Sequence, residues 1–263
     1  MDKLFVIKIG GNIIDDEAGL TSFLKDFSSI KEKKILVHGG GKLATRLASQ
    51  MGIEQQLIDG RRITDAETLK IVTMVYAGYI NKNIVAQLQC LGCNAIGLTG
   101  ADGNTITAHK RIKGEIDYGF AGDIDTVDIS FISSLLKGSD LVFAPITHDK
   151  KGQLLNTNAD TIAQELATAM SGHYEVVLIY GFEKAGVLMD AENDETVIPE
   201  IDPGYYIELK SARVISAGMI PKLDNAFSAI NKGVKKVVIG KAGNLPLLID
   251  GKSGTAITNS EQL

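Results

Sequence analysis

The sequence predicts an α/β protein, a three-layer αβα sandwich built on a mainly parallel, open sheet. Short apolar runs alternate with amphipathic stretches along the chain, which is typical of βα units joined in series. The runs are rich in valine, isoleucine and leucine, as are strands buried on both faces. Glycine clusters follow the first two runs, at the strand ends where such sheets bind ligands.

Six apolar runs predict the strands of this sheet: Leu4–Ile9, Ile35–His38, Ala95–Leu98, Leu141–Ala144, Val176–Tyr180 and Val237–Ile239. Two further segments, Thr105–His109 and Asp123–Asp128, flank a glycine-containing polar stretch and predict a hairpin outside the alternation. The longest helical pattern runs from Asp65 to Leu91. Thr64, with Glu67 three residues later, predicts a capping box at its start.

Length and composition limit the classes of protein that remain. The 263 residues, 44% of them hydrophobic, fit one large α/β domain or two closely joined lobes, residues 1–172 and 173–263, divided near Ser171–Tyr174. A net charge of −5 argues against a nucleic-acid partner, which requires a basic face. No run approaches the ~20 apolar residues of a membrane span, and the first residues do not form an export signal. We therefore expect a cytoplasmic protein without a membrane partner.

The two cysteines, Cys90 and Cys93, form a C-x-x-C at the end of the long helical pattern. A redox pair of this kind should open a helix, where the dipole lowers the thiol pKa. A zinc site would need further ligands nearby, and the sequence supplies none at the usual spacing. We interpret both cysteines as structural and expect no metal ligand from the protein.

Two glycine clusters predict an anion pocket. Lys8-Ile9-Gly10-Gly11 closes the first strand, and His38-Gly39-Gly40-Gly41 closes the second. Glycine lets the backbone approach a ligand and aim several N–H groups at one anion, and a following helix adds its positive end. His38 is the only one of four histidines beside a motif, and backbone geometry is the simplest account of it.

Two known phosphate motifs compete for this interpretation. A Walker A loop is excluded, because Pro246 takes the first glycine position before Gly251-Lys252-Ser253, and Leu43 replaces the Ser or Thr after Lys42. A dinucleotide fingerprint matches Gly39–Ala44, with Asp59 about twenty residues on. An NAD-binding oxidoreductase therefore stays open as an alternative, although this turn belongs to the second βα unit.

Seven ordered segments carry a more specific signal. They are Lys8-x-Gly10-Gly11, His38-Gly39-Gly40-Gly41, Gly60-Arg61-Arg62-Ile63-Thr64, Gly97–Gly103, Asp117-x-Gly119-Phe120-x-Gly122, Asn156-x-Asn158-Ala159-Asp160 and Gly218-Met219-Ile220-Pro221-Lys222. Together they resemble the amino acid kinase family, most closely its N-acetyl-L-glutamate kinases, over nearly the whole chain. The resemblance implies the amino acid kinase fold and ATP-dependent phosphorylation of the γ-carboxylate of N-acetyl-L-glutamate, a step of arginine biosynthesis.

The resemblance also assigns roles by position. Lys8 and Lys222 match the two cations at the transferring phosphoryl group, and Asp160 matches the carboxylate that orients them. Substrate binding falls to Gly40, Gly41, Arg62 and Asn156, and phosphate binding to Gly10, Gly11 and Gly39. The acceptor carboxylate is ionised at neutral pH, so no general base is required. Pro221 favours the first turn of a helix, which would place Lys222 near a positive helix end.

The segment expected to contact the nucleotide departs from the family. After the fifth strand the family usually shows Thr or Ser, then Asp-Val, then glycine, whereas this chain has Tyr180-Gly181-Phe182-Glu183-Lys184-Ala185-Gly186. The resemblance still assigns ATP contact to Tyr180, Gly181, Phe182 and Gly186. It implies ATP and Mg²⁺, and the small ion would be held largely by phosphates and water.

Three further alternatives remain. A kinase of the same fold could act on another acceptor, such as aspartate, glutamate or carbamate. The altered Tyr180–Gly186 segment also fits a catalytically silent ligand-binding module. Finally, Arg61 replaces a residue that is usually apolar in the family. It is either a solvated surface arginine or a second cation that favours an acyl group with its own carboxylate, such as succinyl.

The expected assembly is a homodimer built partly on the Asp65–Leu91 helix. Arginine-inhibited members of the family carry an extra N-terminal helix that links dimers into a hexamer. Here the first strand begins by Leu4. The resemblance therefore implies a dimer without strong arginine feedback.

Overall fold

A computed structural model describes residues 1–58, 61–215 and 219–259 of the chain. Asp59, Gly60 and Gly218, which belong to predicted motifs, lie outside the described residues. Within the described residues, no helix is long and apolar enough to cross a bilayer.

The strands are β1 Lys3–Ile9, β2 Lys33–His38, β3 Leu57–Ile58, β4 Arg61–Arg62, β5 Ala95–Leu98, β6 Ile106–Lys113, β7 Ile116–Val127, β8 Asp140–Phe143, β9 Ile146–His148, β10 Leu154–Thr157, β11 Glu175–Phe182, β12 Glu200–Ile201, β13 Lys236–Lys241 and β14 Thr255–Ile257. The α-helices are α1 Gly11–Asp15, α2 Glu17–Ser29, α3 Gly41–Gln50, α4 Ala66–Val72, α5 Asn81–Cys90, α6 Ile129–Leu135, α7 Ala159–Met170, α8 Pro203–Ser211, α9 Ile220–Asn231 and α10 Leu245–Ile249. A π-helical segment, Thr73–Ile80, joins α4 to α5, and two short 3₁₀ turns lie at Asp102–Asn104 and Ala242–Asn244.

An eight-stranded sheet lies at the centre, in the order β12-β14-β13-β11-β1-β2-β8-β5. All six predicted strands belong to it. The pairs from β13 to β5 are parallel, and only β14 runs antiparallel to its neighbour β13. The predicted mainly parallel sheet is therefore confirmed.

Helices cover both faces of this sheet, as predicted. Along β1, Leu4 and Val6 join one buried cluster, while Phe5, Ile7 and Ile9 join the other. Helices α7 and α9 pack on the first face, and α2, α3 and α10 on the second. Because both faces are buried, β1 carries an unbroken apolar run rather than an alternating one.

The predicted hairpin is present, and both of its strands are longer than expected. Strands β6 and β7 pair antiparallel and close a small barrel with β9 and β10, in the order β10-β7-β6-β9. Residues Ala121 and Gly122 of β7 pair with Asn156 and Thr157 of β10, and all four line a cavity described below.

The long helix begins one residue later than predicted. Asp65, not Thr64, is the N-cap, and its side chain accepts from the Thr68 N–H at 2.7 Å. Thr64 instead pairs with the barrel, since its N–H donates to the Tyr118 carbonyl and its carbonyl accepts from the Phe120 N–H. Aspartate caps as well as threonine does, so local sequence could not separate the two positions.

Candidate active site

Two glycine turns lie side by side at the carboxyl edge of the sheet. Strands β1 and β2 are neighbours, with Ile9 opposite His38, and the Gly39 N–H donates to the Ile9 carbonyl at 3.0 Å. Gly40 has φ +153°, a region that favours glycine, and an added Cβ would collide with Ile80 and Tyr76. Helix α3 begins at Gly41, so its positive end faces this edge.

Three charged side chains meet beside these turns. Lys8 Nζ lies 2.7 Å from Asp160 Oδ1, and Lys222 Nζ donates to Asp160 Oδ2 at 3.2 Å. Asp160 lies in the first turn of α7, where Asn158 is the N-cap, and Lys222 follows Pro221 in the first turn of α9. Three segments far apart in sequence thus place two cations around one carboxylate, as the sequence predicted.

Burial alone would raise the pKa of Asp160, but the charges of Lys8 and Lys222 outweigh it and lower this pKa to about 2. An unfolded aspartate titrates near 3.9. Since the folded pKa is the lower one, these ion pairs stabilise the fold above about pH 4, and their contribution is lost as pH falls through about 2. The Asp160 carboxylate is therefore ionised at neutral pH.

A cavity of about 180 Å³, lined by residues of the N-terminal part of the chain, lies next to Asp160 and includes its neighbour Ala159. Its lining includes Gly39, Gly40, Gly41, Arg61, Arg62, Tyr76, Ala121, Gly122, Pro145 and residues 156 to 159. Of the predicted substrate-binding residues, all four reach this cavity. Asn156 projects from β10, and its Nδ2 donates to Thr64 Oγ1 at 3.0 Å, which fixes the orientation of the amide.

Arg62 is buried and held by the protein. Its Nη2 donates to the Gly41 carbonyl at 3.0 Å and to Thr45 Oγ1 at 2.9 Å, and its Nη1 donates to Gln55 Oε1. Arginine has five N–H donors, so two of them remain for a ligand. Arg62 therefore also supports the second glycine turn, a role that its position in the sequence did not indicate.

Arg61 is partly buried and lines the same cavity as Arg62. Burial lowers the pKa of Arg61, and the charge of Arg111 lowers it further, while Asp123 opposes both. Asp123 is itself paired with Arg111, at 2.6 Å between Oδ1 and Nη1. Arg61 is thus partly buried at the cavity, near the ion pair of Arg111 and Asp123.

The predicted nucleotide segment is mostly internal. Tyr180 is buried on β11, and its hydroxyl donates to the Asp160 carbonyl at 3.4 Å, so it supports the first turn of α7 from the central sheet. Burial raises the pKa of Tyr180 well above its ordinary value. Gly181 packs against Ala242 and the Lys8 carbonyl, and Phe182 packs against the core. Their predicted contact with ATP remains a prediction.

Gly186 lies in a different environment, at a small apolar cavity lined by residues of the C-terminal part of the chain. Its lining comprises Lys184, Gly186, Val187, Leu188, Ala191, Val214, Ile215 and Met219. Met219 immediately precedes α9, whose first turn carries Lys222.

Residues outside the predicted motifs complete the site. Tyr76 and Ile80 of the π-helical segment pack on Gly40, and Tyr76 also lines the substrate cavity. In the sequence they are two members of an apolar helical stripe, which indicates burial but not the partner. Within the described ranges, no three side chains of His, Cys, Asp or Glu come close enough to hold a metal ion.

The arrangement can bind and polarise a phosphoryl group. Two ammonium groups lie against Asp160, whose neighbour Ala159 lines the first cavity, and the second glycine turn and the N-terminus of α3 line the same cavity. Such donors stabilise negative charge that develops during group transfer, and a partly buried setting strengthens them.

The family model described as "Amino acid kinase family" matches residues 3–241. The chain is 60% identical over 252 residues to the acetylglutamate kinase of Cytophaga hutchinsonii, covering 95% of this chain and 96% of that protein. It is 54% identical over 246 residues to the acetylglutamate kinase of Parabacteroides distasonis, covering 93% and 96% respectively.

A solved structure supports the same fold. N-acetylglutamate synthase from Neisseria gonorrhoeae, complexed with coenzyme A and N-acetyl-glutamate, matches with a TM-score of 0.81 at 22% sequence identity. The match covers 98% of this chain and 59% of that one, so the likeness concerns one part of the larger protein.

Proposed function

Since the chain belongs to the amino acid kinase family, we propose that it transfers the γ-phosphoryl group of ATP to the γ-carboxylate of N-acetyl-L-glutamate. The products are N-acetyl-L-glutamyl 5-phosphate and ADP, in a step of arginine biosynthesis. The observation that carries the proposal is the meeting of Lys8 and Lys222 at the two oxygens of Asp160, whose neighbour Ala159 lines the first cavity. The identity of 60% to an acetylglutamate kinase supports this acceptor.

In the proposed reaction a carboxylate oxygen forms a bond to the γ-phosphorus. The bond from that phosphorus to the bridging oxygen breaks, and its electron pair leaves with ADP. No proton needs to be removed, because the acceptor titrates near 4.3. Lys8 and Lys222 offset the negative charge of both anions, and Asp160 keeps the two ammonium groups directed at one point.

In this proposal each of the two lobes binds one of the two substrates. Residues 1–172 bind the acyl amino acid through Gly40, Gly41, Arg62 and Asn156. Residues 173–263 bind ATP, with the adenine in the apolar cavity at Gly186. Gly10 and Gly11 offer their N–H groups to the phosphates, whereas the Gly39 N–H donates to the Ile9 carbonyl and is not free for a phosphate. We also propose a cytoplasmic location, where ATP is available.

Mg²⁺ accompanies ATP in this proposal. The ion prefers oxygen ligands and keeps several of its waters. The described residues bring no three acidic or histidine side chains together, so the phosphates and water would supply most of the coordination. The ion would supply further positive charge at the phosphates.

A coupled assay of ADP release tests the proposal. We expect turnover that requires Mg²⁺ and saturates with N-acetyl-L-glutamate, and little turnover with aspartate, glutamate or carbamate. A better rate with one of those acceptors would assign another kinase activity. Intact ATP binding without turnover on any acceptor would indicate a silent binding module, and binding of NADH in preference to ATP would indicate an oxidoreductase.

Arg61 favours a second candidate substrate, a glutamate whose acyl group bears its own carboxylate. Arg61 lines the cavity, and the nearby Asp123 is already paired with Arg111, so the Arg61 guanidinium can bind a carboxylate of a ligand. We expect Arg61→Leu to lower the ratio of kcat/KM for N-succinyl- over N-acetyl-L-glutamate about tenfold, through loss of one charge-assisted hydrogen bond.

The control for this experiment is Arg46→Leu, which removes an exposed arginine from α3. If the wild type prefers the acetyl compound, or if Arg61→Leu leaves the ratio unchanged, the carboxylated acyl group is excluded.

We propose that the protein is a homodimer whose interface includes the π-helical segment and α5. Tyr79 is 66% exposed and Met74 is 53% exposed on this segment, which is more than a large apolar side chain usually shows to water. We expect light scattering to give the mass of a dimer, and Tyr79→Glu to give a monomer. Ile207→Glu is the control, because Ile207 is equally exposed on α8. A monomeric wild type, or a dimeric Tyr79→Glu variant, would remove this helix from the interface.

A further inference from the structure

His38 is a buried histidine directly before the second glycine turn, and both of its ring nitrogens have partners. Nδ1 lies 2.7 Å from the Gly39 carbonyl, and Nε2 lies 3.2 Å from Asn81 Nδ2. Asn81 opens α5 and is also buried. The ring thus joins the end of β2 to the helix that packs against it.

The neighbours of Asn81 fix the direction of each hydrogen bond. The Val142 carbonyl can only accept, and it lies 2.9 Å from Asn81 Nδ2. The Lys82 ammonium can only donate, and it lies 3.1 Å from Asn81 Oδ1. The amide orientation of Asn81 is therefore determined, and its Nδ2 donates to His38 Nε2.

A histidine that accepts at Nε2 must carry its proton on Nδ1 when it is neutral. Burial lowers the pKa of His38 to about 4, a backbone hydrogen bond to Gly39 opposes this, and the charge of Lys82 adds to the lowering. The ring is neutral at physiological pH, so Nδ1–H donates to the Gly39 carbonyl.

This bond sets the direction of the next amide. The described backbone contains no cis peptide, so the Gly40 N–H points opposite to the Gly39 carbonyl. The carbonyl is turned to the buried ring, so the N–H is turned away from it, and Gly40 lines the cavity that Arg62 and Asn156 also line. Within the part of the chain that the structure describes, the Gly40 N–H has no acceptor.

The π-helical segment supplies the support for this turn. Its i→i+5 hydrogen bonds bring residues five apart nearly into line, which an α-helix does not. Tyr76 and Ile80 contact Gly40, and Asn81, five residues after Tyr76, reaches His38. The π-helical segment thus contacts Gly40, and Asn81, the residue directly after it, holds the His38 ring that orients the Gly39–Gly40 peptide.

We propose that His38 is a positioning residue: Asn81 holds it as the Nδ1–H tautomer, and through the Gly39 carbonyl it aims the Gly40 N–H at the acyl amino acid. The inference rests on the proposed function, since it assumes that this cavity binds that substrate. His38 itself does not touch the substrate and transfers no proton.

Two substitutions separate positioning from packing. His38→Leu fills a similar volume with an apolar side chain and removes the Nδ1–H donor. His38→Asn keeps an N–H donor close to the position of Nδ1. We expect His38→Leu to lower kcat/KM for the acyl amino acid about tenfold, and His38→Asn to restore most of it, while KM for ATP changes little. His173→Leu, at an exposed histidine, is the matched control.

Equal losses of kcat/KM in His38→Leu and His38→Asn, or no loss in His38→Leu, would overturn the proposal. Thermal unfolding shows which of the variants fold. Nitrogen-15 NMR of histidine-labelled wild type gives a second measurement that needs no variant to be active. We expect a His38 signal with its proton on Nδ1 at neutral pH, assigned by its loss in His38→Asn, and a proton on Nε2 would overturn the proposal. Absence of turnover in the wild type would instead contradict the proposed function and leave the tautomer result to decide the role of His38.

Discussion

Lys222→Ala and Lys8→Ala are each expected to lower kcat about 10²- to 10³-fold, the range seen when one preorganised donor to a transition-state charge is removed. Each ammonium group lies against one oxygen of Asp160, at 3.2 Å and 2.7 Å respectively, beside the glycine turns. In either variant one cation remains, so the site still binds anions but no longer balances the charge that builds up during transfer. The measurement is steady-state ADP release with both substrates saturating.

Lys232→Ala is the matched control for Lys222→Ala. Lys232 follows the same helix at its other end and forms an ion pair at 3.7 Å with Glu165, which is partly exposed. A surface ion pair of this kind contributes little, so its loss should leave kcat and the melting temperature nearly unchanged. If Lys222→Ala or Lys8→Ala behaves like this control, the assigned role of that lysine is wrong.

Arg62→Lys is expected to raise KM for N-acetyl-L-glutamate about ten- to a hundredfold and to change KM for ATP much less. Lysine keeps the charge but has no planar fork. It cannot at once reach the Gly41 carbonyl and Thr45 Oγ1 and offer two N–H groups to a carboxylate. The expected loss therefore combines a weaker substrate contact with a looser second glycine turn.

Arg213→Lys provides the comparison, since Arg213 is exposed and lines neither of the two cavities. Thermal unfolding of both variants shows how far the turn itself has been weakened. An equal rise of KM for both substrates would remove Arg62 from the amino-acid site and leave it with a supporting role only.

The strands of the central sheet could be predicted because both faces of each strand are buried. Residues such as Leu4 and Phe5, on opposite faces of β1, are both apolar, so burial is visible in the sequence itself. The short strands β9 and β10 were not predicted. They belong to the barrel, where β10 pairs with β7 and β9 pairs with β6, and both pairings depend on contacts between distant segments.

The charged residues of the candidate site could be identified by motif, but their supports could not. Nothing in the local sequence indicates that Tyr180 lies under Asp160, or that Asn81 binds His38 from 43 positions away. Such contacts arise only once strands and helices have packed. The motif residues were visible because the chemistry limits which side chains can serve there, whereas many side chains can fill a supporting position.

The pairing of β1 with β11 limits how the two substrates can be brought together. The two strands match residue for residue from Lys3 opposite Glu175 to Ile9 opposite Gly181, and one belongs to each proposed lobe. A hinge between the lobes would have to break this ladder, and the strands are buried where water cannot replace the lost bonds. We therefore expect closure over the substrates to come from elements at the rim, such as the β6–β7 hairpin and the start of α9. The central sheet therefore stays rigid, and Lys8 keeps a fixed position relative to the binding sites of both substrates.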